Sequence, residues 1–219
     1  MDLLLLILTI APPLIIASYI VRSDIFPEPT SCVVKIFILG FILTIPAMFL
    51  NQLFIFNSSE DLSYLAGLTE ESLKFLAFLL FISRKFNFNE KMDAIVYGAL
   101  ISLGFATLEN FEYVYLAFPD MNSYSIAIIR AFTAIPLHAL CGIIMGYFFG
   151  LHYFEHKPHY LIMAFIIPVL THAAYNYTNN IVLQLVLILI AFTYAKQLHR
   201  QFMSGQKGKK KEIEVKSKG

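Results

Sequence analysis

Long apolar runs separated by short polar connections organise this chain. Runs of the length a helix needs to cross a bilayer, roughly 20 residues, fall at about 3–21, 33–56, 65–82, 93–117, 124–150, 160–178 and 180–197. They predict an all-α fold, a polytopic transmembrane bundle of about seven spans. The third run is the least apolar because it contains EESLK. The sixth and seventh are separated only by NYTNN, which predicts a tight hairpin. Pro12, Pro13, Pro46, Pro136 and Pro168 fall within spans, where neighbouring helices can satisfy the carbonyls they free. The first run follows Asp2 rather than a basic stretch, so it reads as a retained span and not as a cleaved signal.

Composition supports lipid as the solvent. Hydrophobic residues make up 58% of the 219 and charged residues only 14%, against about 25% in a typical soluble domain. The connections are short, so residues 1–198 read as one transmembrane domain. The basic, polar remainder, 199–219, predicts a disordered cytoplasmic tail. Cys32 and Cys141 lie in or beside apolar runs without metal-ribbon spacing and are expected as free thiols. A net charge of +1 gives no pointer to nucleic acid.

Basic residues set the expected orientation. Arg22 and Lys35 flank the first connection, Arg84, Lys85 and Lys91 the third, and Lys157 lies in the fifth. A further group runs from Lys196 to Lys218. The second, fourth and sixth connections contain none. Seven spans with the N-terminus outside and the C-terminus in the cytoplasm put all of these on one side. That makes the protein multi-pass in a cell membrane, with lipid as its first partner.

The ionisable residues inside the spans carry the candidate chemistry. They are Glu70, Glu71, Lys74, Glu109, Glu112, Arg130, His138 and His172. A charge in hydrocarbon costs several kcal/mol, so such residues face the bundle interior. Glu70 and Lys74 share a helix face, with Glu71 beside them. Glu112 and Arg130, at comparable depth, read as a structural ion pair. His138 continues at i+4 spacing into Gly142, Gly146 and Gly150, a small-residue face that predicts close helix contact. His172 and Asn176 stand one turn apart. Four carboxylates against two cations leave an excess of negative charge. Either carboxyls hold protons or a cation is bound. Both outcomes suit hydrolysis, by proton transfer to and from a carboxylate or by a metal-activated water. Neither HExxH nor GxSxG is present.

At EESLK, GFATLEN, PLHALCGIIMGY and THAAYN the sequence resembles the PrsW family of intramembrane proteases. That family is grouped with the type II CAAX prenyl endopeptidases and the Aph-1 scaffold subunits. The resemblance covers about 65–177 and keeps the order of all four motifs. It implies that the acidic pair falls on Glu70 and Glu71, the motif lysine on Lys74, the second acid on Glu109 and the histidines on His138 and His172. Asn176 stands where the family often has an acid. The family is usually classed as metal-dependent, whereas the prenyl endopeptidases are argued to use glutamate without metal. Where a metal is bound, zinc is the candidate cofactor, with Glu109, His138 and His172 as its expected ligands; otherwise the glutamates act directly on water. The implied substrates are single-span or membrane-anchored proteins, such as anti-sigma factors in a bacterial envelope response.

The combined expectation is an intramembrane endopeptidase of a prokaryotic plasma membrane, with its site in the outer half. Glu70 or Glu71 activates water. His138, His172 and Asn176 stabilise the oxyanion or, with Glu109, hold a metal. Lys74 balances the acidic pair. A proton- or cation-coupled transporter and a non-catalytic scaffold are the rival readings.

Overall fold

A computed structural model describes residues 2–56, 61–85, 88–117 and 121–217. Lys218, counted above with the basic tail, lies outside them. Every regular element among the described residues is helical. We label them α1 (Leu3–Ser23), α2 (Thr30–Asn51), α3 (Leu65–Ala77), α4 (Lys91–Glu112), α5 (Ser123–Phe132), α6 (Ala134–Glu155), α7 (Pro158–Tyr177) and α8 (Ile181–Lys216). Single wider π turns prolong α2 over Gln52–Phe56, α3 over Phe78–Ile82 and α4 over Tyr113–Ala117.

Six helical stretches are long and apolar enough to cross a membrane, with α5 and α6 together forming one of them. The seventh expected span is α3 and its continuation, where Glu70, Glu71 and Lys74 are buried inside the bundle. Large apolar side chains such as Leu3, Ile15, Ile45, Phe49, Leu170 and Leu189 are exposed on the outer faces. A water-soluble surface would not carry so many large apolar side chains.

The expected fifth span is two helices. Thr133 leaves helical geometry at φ −123° and ψ −82°. Pro136 explains the break: it has no N–H to donate, and its ring would clash with the carbonyl of Phe132 four residues earlier. Arg130 stands just before this break and His138 just after it.

At the centre α4 and α6 run side by side, each buried along most of its length. Glycine makes this approach possible. A Cβ on Gly142 would lie 2.4 Å from the Gly98 carbonyl oxygen, and one on Gly146 would lie 2.0 Å from that of Ala94. At the α3–α7 crossing a Cβ on Gly67 would meet the backbone nitrogen of Ala173 at 2.5 Å. These seams bring α3, α4, α6 and α7 close enough for their polar side chains to meet.

The expectation of a disordered tail from 199 is corrected, because α8 continues without interruption to Lys216. Its last turns are rich in Lys, Glu and Gln, all good helix formers. Phe202 stacks on Tyr147 with ring centroids 4.4 Å apart, and the buried Gln206 bonds Asp24 and Glu90. Those contacts hold the extension against the ends of α1 and α4. Both cysteines are free and buried.

Candidate functional site

α3 presents Glu70, Glu71 and Lys74 from consecutive turns, and all three are buried. Lys74 Nζ donates to Glu71 Oε1 at 2.8 Å and to His138 Nδ1 at 3.0 Å, and it lies 4.1 Å from the centre of the Phe105 ring. Its distance to Glu70 Oε2 is 3.9 Å. An ammonium only donates, so His138 accepts at Nδ1 and carries its proton on Nε2. That Nε2–H points at Glu109 Oε2, 2.9 Å away. His172, on α7, places Nδ1 3.0 Å from Glu71 Oε1. If Glu71 accepts a proton from Nδ1 of a neutral His172, the Nε2 lone pair of that ring faces Glu70. The two imidazoles meet edge to face with centroids 4.9 Å apart.

Glu70 Oε1 accepts from Asn51 Nδ2 at 3.1 Å. Thr69 Oγ in turn donates to Asn51 Oδ1. Glu70 Oε2 is buried without a hydrogen-bond partner and sits 3.9 Å from His172 Nε2. Asn51 was missed from the sequence. It ends a long apolar helix and belongs to no motif, and the one available signal was a lone amide at the end of a span.

The expected partnership of Glu112 and Arg130 is corrected. Arg130 donates to Glu109 Oε2 at 2.6 Å and to Asn110 Oδ1 at 2.9 Å, and it covers the Tyr113 ring at 4.0 Å. Glu109 comes from the central helix at the depth of the α5–α6 break, so the guanidinium meets it first. Asn110 is itself fixed by donating to the Thr9 carbonyl at 2.8 Å. Glu112 lines the same cavity one turn further on.

Asn176 also lines the cavity, yet its side chain turns away from the Glu/His cluster. Its Nδ2 donates to the Ser63 carbonyl at 3.4 Å, and Ser63 Oγ donates back to the Asn176 carbonyl at 3.2 Å. The pair ties the entry of α3 to the exit of α7. Among the described residues the Asn176 side chain makes no hydrogen bond to the Glu/His cluster.

The cavity is about 840 Å³ and is lined by Glu70, Glu109, Arg130, His138 and His172. Gln52, Tyr113, Met121 and Asn179 line it too. These last residues belong to the end of the bundle where α4 finishes and α8 begins, away from the basic connections. Two of the three π turns contribute to its wall, in keeping with the frequent use of such turns at functional sites.

The residues present fit a metal in part. Glu70, His138 and His172 each offer a ligand atom within 4.8 Å of the others. A carboxylate and two histidines are a known catalytic zinc set, and Glu71 on His172 Nδ1 is the outer carboxylate that such a histidine usually has. Glu70 therefore takes the place expected for Glu109, whose Oε2 is already shared between Arg130 and His138. Glu70 Oε2 and His172 Nε2 are uncommitted, while both ring nitrogens of His138 are engaged. A metal at His138 must displace one of those two hydrogen bonds.

Comparison with known proteins agrees with the motifs. The family model described as "PrsW family intramembrane metalloprotease" matches residues 28–196. The chain is 34% identical over 190 residues to Protease PrsW of Oceanobacillus iheyensis, covering 84% of this chain and 86% of that protein. It is 32% identical over 203 residues to Protease PrsW of Clostridioides difficile, covering 87% and 85%. Against Protease PrsW of Bacillus subtilis identity is 34% over 177 residues, covering 77% and 79%. No solved structure matches the chain significantly.

Proposed function

The chain belongs to the PrsW family of intramembrane proteases, and from that premise we propose that Glu70 and His172 form the reacting centre. The single observation that carries this reading is the pair of uncommitted atoms, Glu70 Oε2 and His172 Nε2, facing each other 3.9 Å apart at the cavity wall. Family membership sets aside the transporter and scaffold readings.

Glu70 Oε2 takes a proton from the attacking water and returns it to the departing amine. Asn51 holds the other carboxylate oxygen and so fixes the direction of Oε2. Glu71 keeps the His172 proton on Nδ1, which leaves Nε2 bare toward the cavity. Lys74 neutralises Glu71 and orients His138. The Nε2–H of His138 and the guanidinium of Arg130 both act on Glu109. As the scissile carbonyl becomes an oxyanion, either donor stabilises it by exchanging its bond to Glu109 for one to the oxyanion, a contribution that is usually large in acyl transfer. Glu70, Glu71, Lys74, Glu109, His138 and His172 are buried, which strengthens each of these interactions.

If a zinc ion is bound, Glu70, His138 and His172 are the residues that would hold it, and it would supply an activated water at neutral pH. The substrate class we propose is a single-span or membrane-anchored protein at a bacterial plasma membrane, with an anti-sigma factor as the first to test. The deciding experiment reconstitutes the chain with such a substrate and compares wild type with Glu70→Gln and His172→Ala. Loss of base function alone is worth roughly 10²–10⁴ in rate. Both variants should lose cleavage on that scale while keeping the wild-type melting temperature within a few degrees. Undiminished turnover in either would reject the assignment.

A further inference from the structure

At the opposite end of α4 a second group of carboxylates has no part in the peptidase site. Asp93 is about 24 Å along the helix from Glu109 at the usual rise. Asp24 caps the end of α1, Glu90 and Asp93 open α4, and Gln206 reaches them from the α8 extension. One carboxylate oxygen of each of Asp24, Glu90 and Asp93 lies within 4.8 Å of the others.

Two of the carboxylate oxygens in this group are left without a hydrogen-bond partner. Asp24 Oδ1 accepts from the Phe26 amide at 3.0 Å and from Gln206 Nε2 at 2.6 Å. Asp93 Oδ2 accepts from the amides of Asn89 at 2.9 Å and Glu90 at 2.8 Å. Glu90 Oε1 accepts from Gln206 Nε2, and Gln206 Oε1 accepts from the Ile25 amide at 3.1 Å. That leaves Asp24 Oδ2 and Asp93 Oδ1 buried with no partner, on side chains 7% and 0% exposed. Glu28 Oε2, nearby, is in the same condition. Among the described residues, the ammonium within 4.0 Å of the three carboxylates is Lys209, 3.8 Å from Glu90 Oε2 and more than half exposed. Three carboxylates, two orphaned oxygens and one loosely held cation leave a local deficit of positive charge.

We propose that Asp24, Glu90 and Asp93 bind a divalent cation, joining the ends of α1 and α4 beneath the α8 extension. The donors are all oxygen, so the ion is a hard one, Mg²⁺ or Ca²⁺, completing its shell with water on the open Glu90 side. Lys209 competes for the same charge. The bound ion fastens the α8 extension to the bundle through Gln206, which already bridges Asp24 and Glu90.

The test is a melting curve of the full chain in detergent after chelator stripping, with MgCl₂ or CaCl₂ added at constant ionic strength. It is run in parallel on His172→Ala, so that any ion held by the Glu/His site is subtracted. A ligand that binds only the folded state raises the melting temperature in a concentration-dependent way. The expected result is a saturable rise in both backgrounds. The half-effective concentration should be at least tenfold higher in Asp24→Asn and in Glu90→Gln, and lower in Lys209→Gln. Should Asp24→Asn fail to fold, Glu90→Gln decides, since that side chain lies at the open edge and keeps its shape. No saturable rise with either cation overturns the proposal. So does an unchanged half-effective concentration in Glu90→Gln. A loss of stability in Lys209→Gln that neither cation restores assigns the counter-charge to Lys209 and overturns it as well.

Discussion

Asn51 and Glu70 are joined by a hydrogen bond of 3.1 Å that crosses from α2 to α3 and fixes one oxygen of a buried carboxylate. A hydrogen bond to a charged group is worth about 1.5–3 kcal/mol, or roughly 10–100-fold when it orients a reacting group. Asn51→Ala should therefore lower kcat for a tethered substrate by about that factor, with KM nearly unchanged. Asn51→Asp should be worse, since it sets a second carboxylate against Glu70. Kinetics and a melting curve on both variants check this. An Asn51→Ala enzyme with wild-type kcat would show that Glu70 needs no such support.

The Glu109–Arg130 pair makes a separate prediction about stability. Both side chains are about nine-tenths buried and their charges are 2.6 Å apart. Breaking a buried pair from one side costs about 3–5 kcal/mol, and this pair, at a cavity wall, belongs at the lower end. A double-mutant cycle of Glu109→Gln and Arg130→Met should show strong coupling. The matching cycle of Glu112→Gln with Arg130→Met should be additive within about 0.5 kcal/mol. Thermal unfolding in detergent measures both, and coupling confined to Glu112 would restore the sequence-based pairing.

The contrast between these two residues shows what the sequence could reveal. Glu70, Glu71, Lys74, His138 and His172 stood out because hydrocarbon makes every ionisable side chain conspicuous. Their separate spans gave no distances, yet each needed an interior partner, and one another's company was the simplest source. Which carboxylate meets Arg130 was not legible, because Glu109 and Glu112 lie one turn apart on the same side of α4. The choice depends on where Pro136 breaks the fifth span. Asn51 was hidden because a lone amide at the end of an apolar helix has no pattern around it. The α8 extension was read as disordered from its charge, since its order comes from Gln206 and Phe202 meeting residues far away in sequence.

The glycine seam between α4 and α6 gives a prediction with a built-in control. A Cβ on Gly146 would sit 2.0 Å from the Ala94 carbonyl oxygen, so Gly146→Ala must push the two central helices apart. It should lower the melting temperature sharply and reduce the yield of folded protein. Gly205, in the α8 extension, has nothing within 4 Å of its notional Cβ. Gly205→Ala should be neutral or stabilising by up to about 1 kcal/mol through helix propensity alone. Equal effects of the two changes on melting would mean that α4 and α6 are not in backbone contact.

Orientation follows from the basic residues and decides from which side substrates reach the cavity. Reporter fusions after residue 89 and at the C-terminus should report cytoplasm, and a fusion near residue 121 should report the outside. The cavity wall includes Met121 and Asn179, so a cytoplasmic signal near 121 would place the site in the inner leaflet and change the candidate substrates.

The last prediction concerns the lysine between the two acids and the histidine. Lys74 Nζ donates to Glu71 Oε1 and to His138 Nδ1, so it keeps the His138 proton on Nε2, the nitrogen that faces Glu109. It also adds a positive charge beside the group Glu70, His138 and His172. Both effects oppose a cation there, one by occupying the ring nitrogens and one by repulsion. Lys74→Met removes both at once. The Nδ1 of His138 is then free, and a metal can take it or, once the proton moves to Nδ1, take Nε2 in place of the bond to Glu109. The same change leaves Glu71 buried without its counter-charge, at a cost on the order of 3–5 kcal/mol. A bound Zn²⁺ would offset part of that cost. The expected result is a variant with a lower melting temperature than wild type when metal-free, a larger zinc-induced rise, and tighter zinc binding in competition with a chelator of known affinity. Its cleavage activity should stay low even when zinc is saturating, because Glu71 and His172 have lost the charge that sets their geometry. Adding Glu71→Gln should restore stability to the metal-free variant without restoring activity. Zinc affinity equal to or weaker than wild type in Lys74→Met would mean that Lys74 does not govern the His138 tautomer.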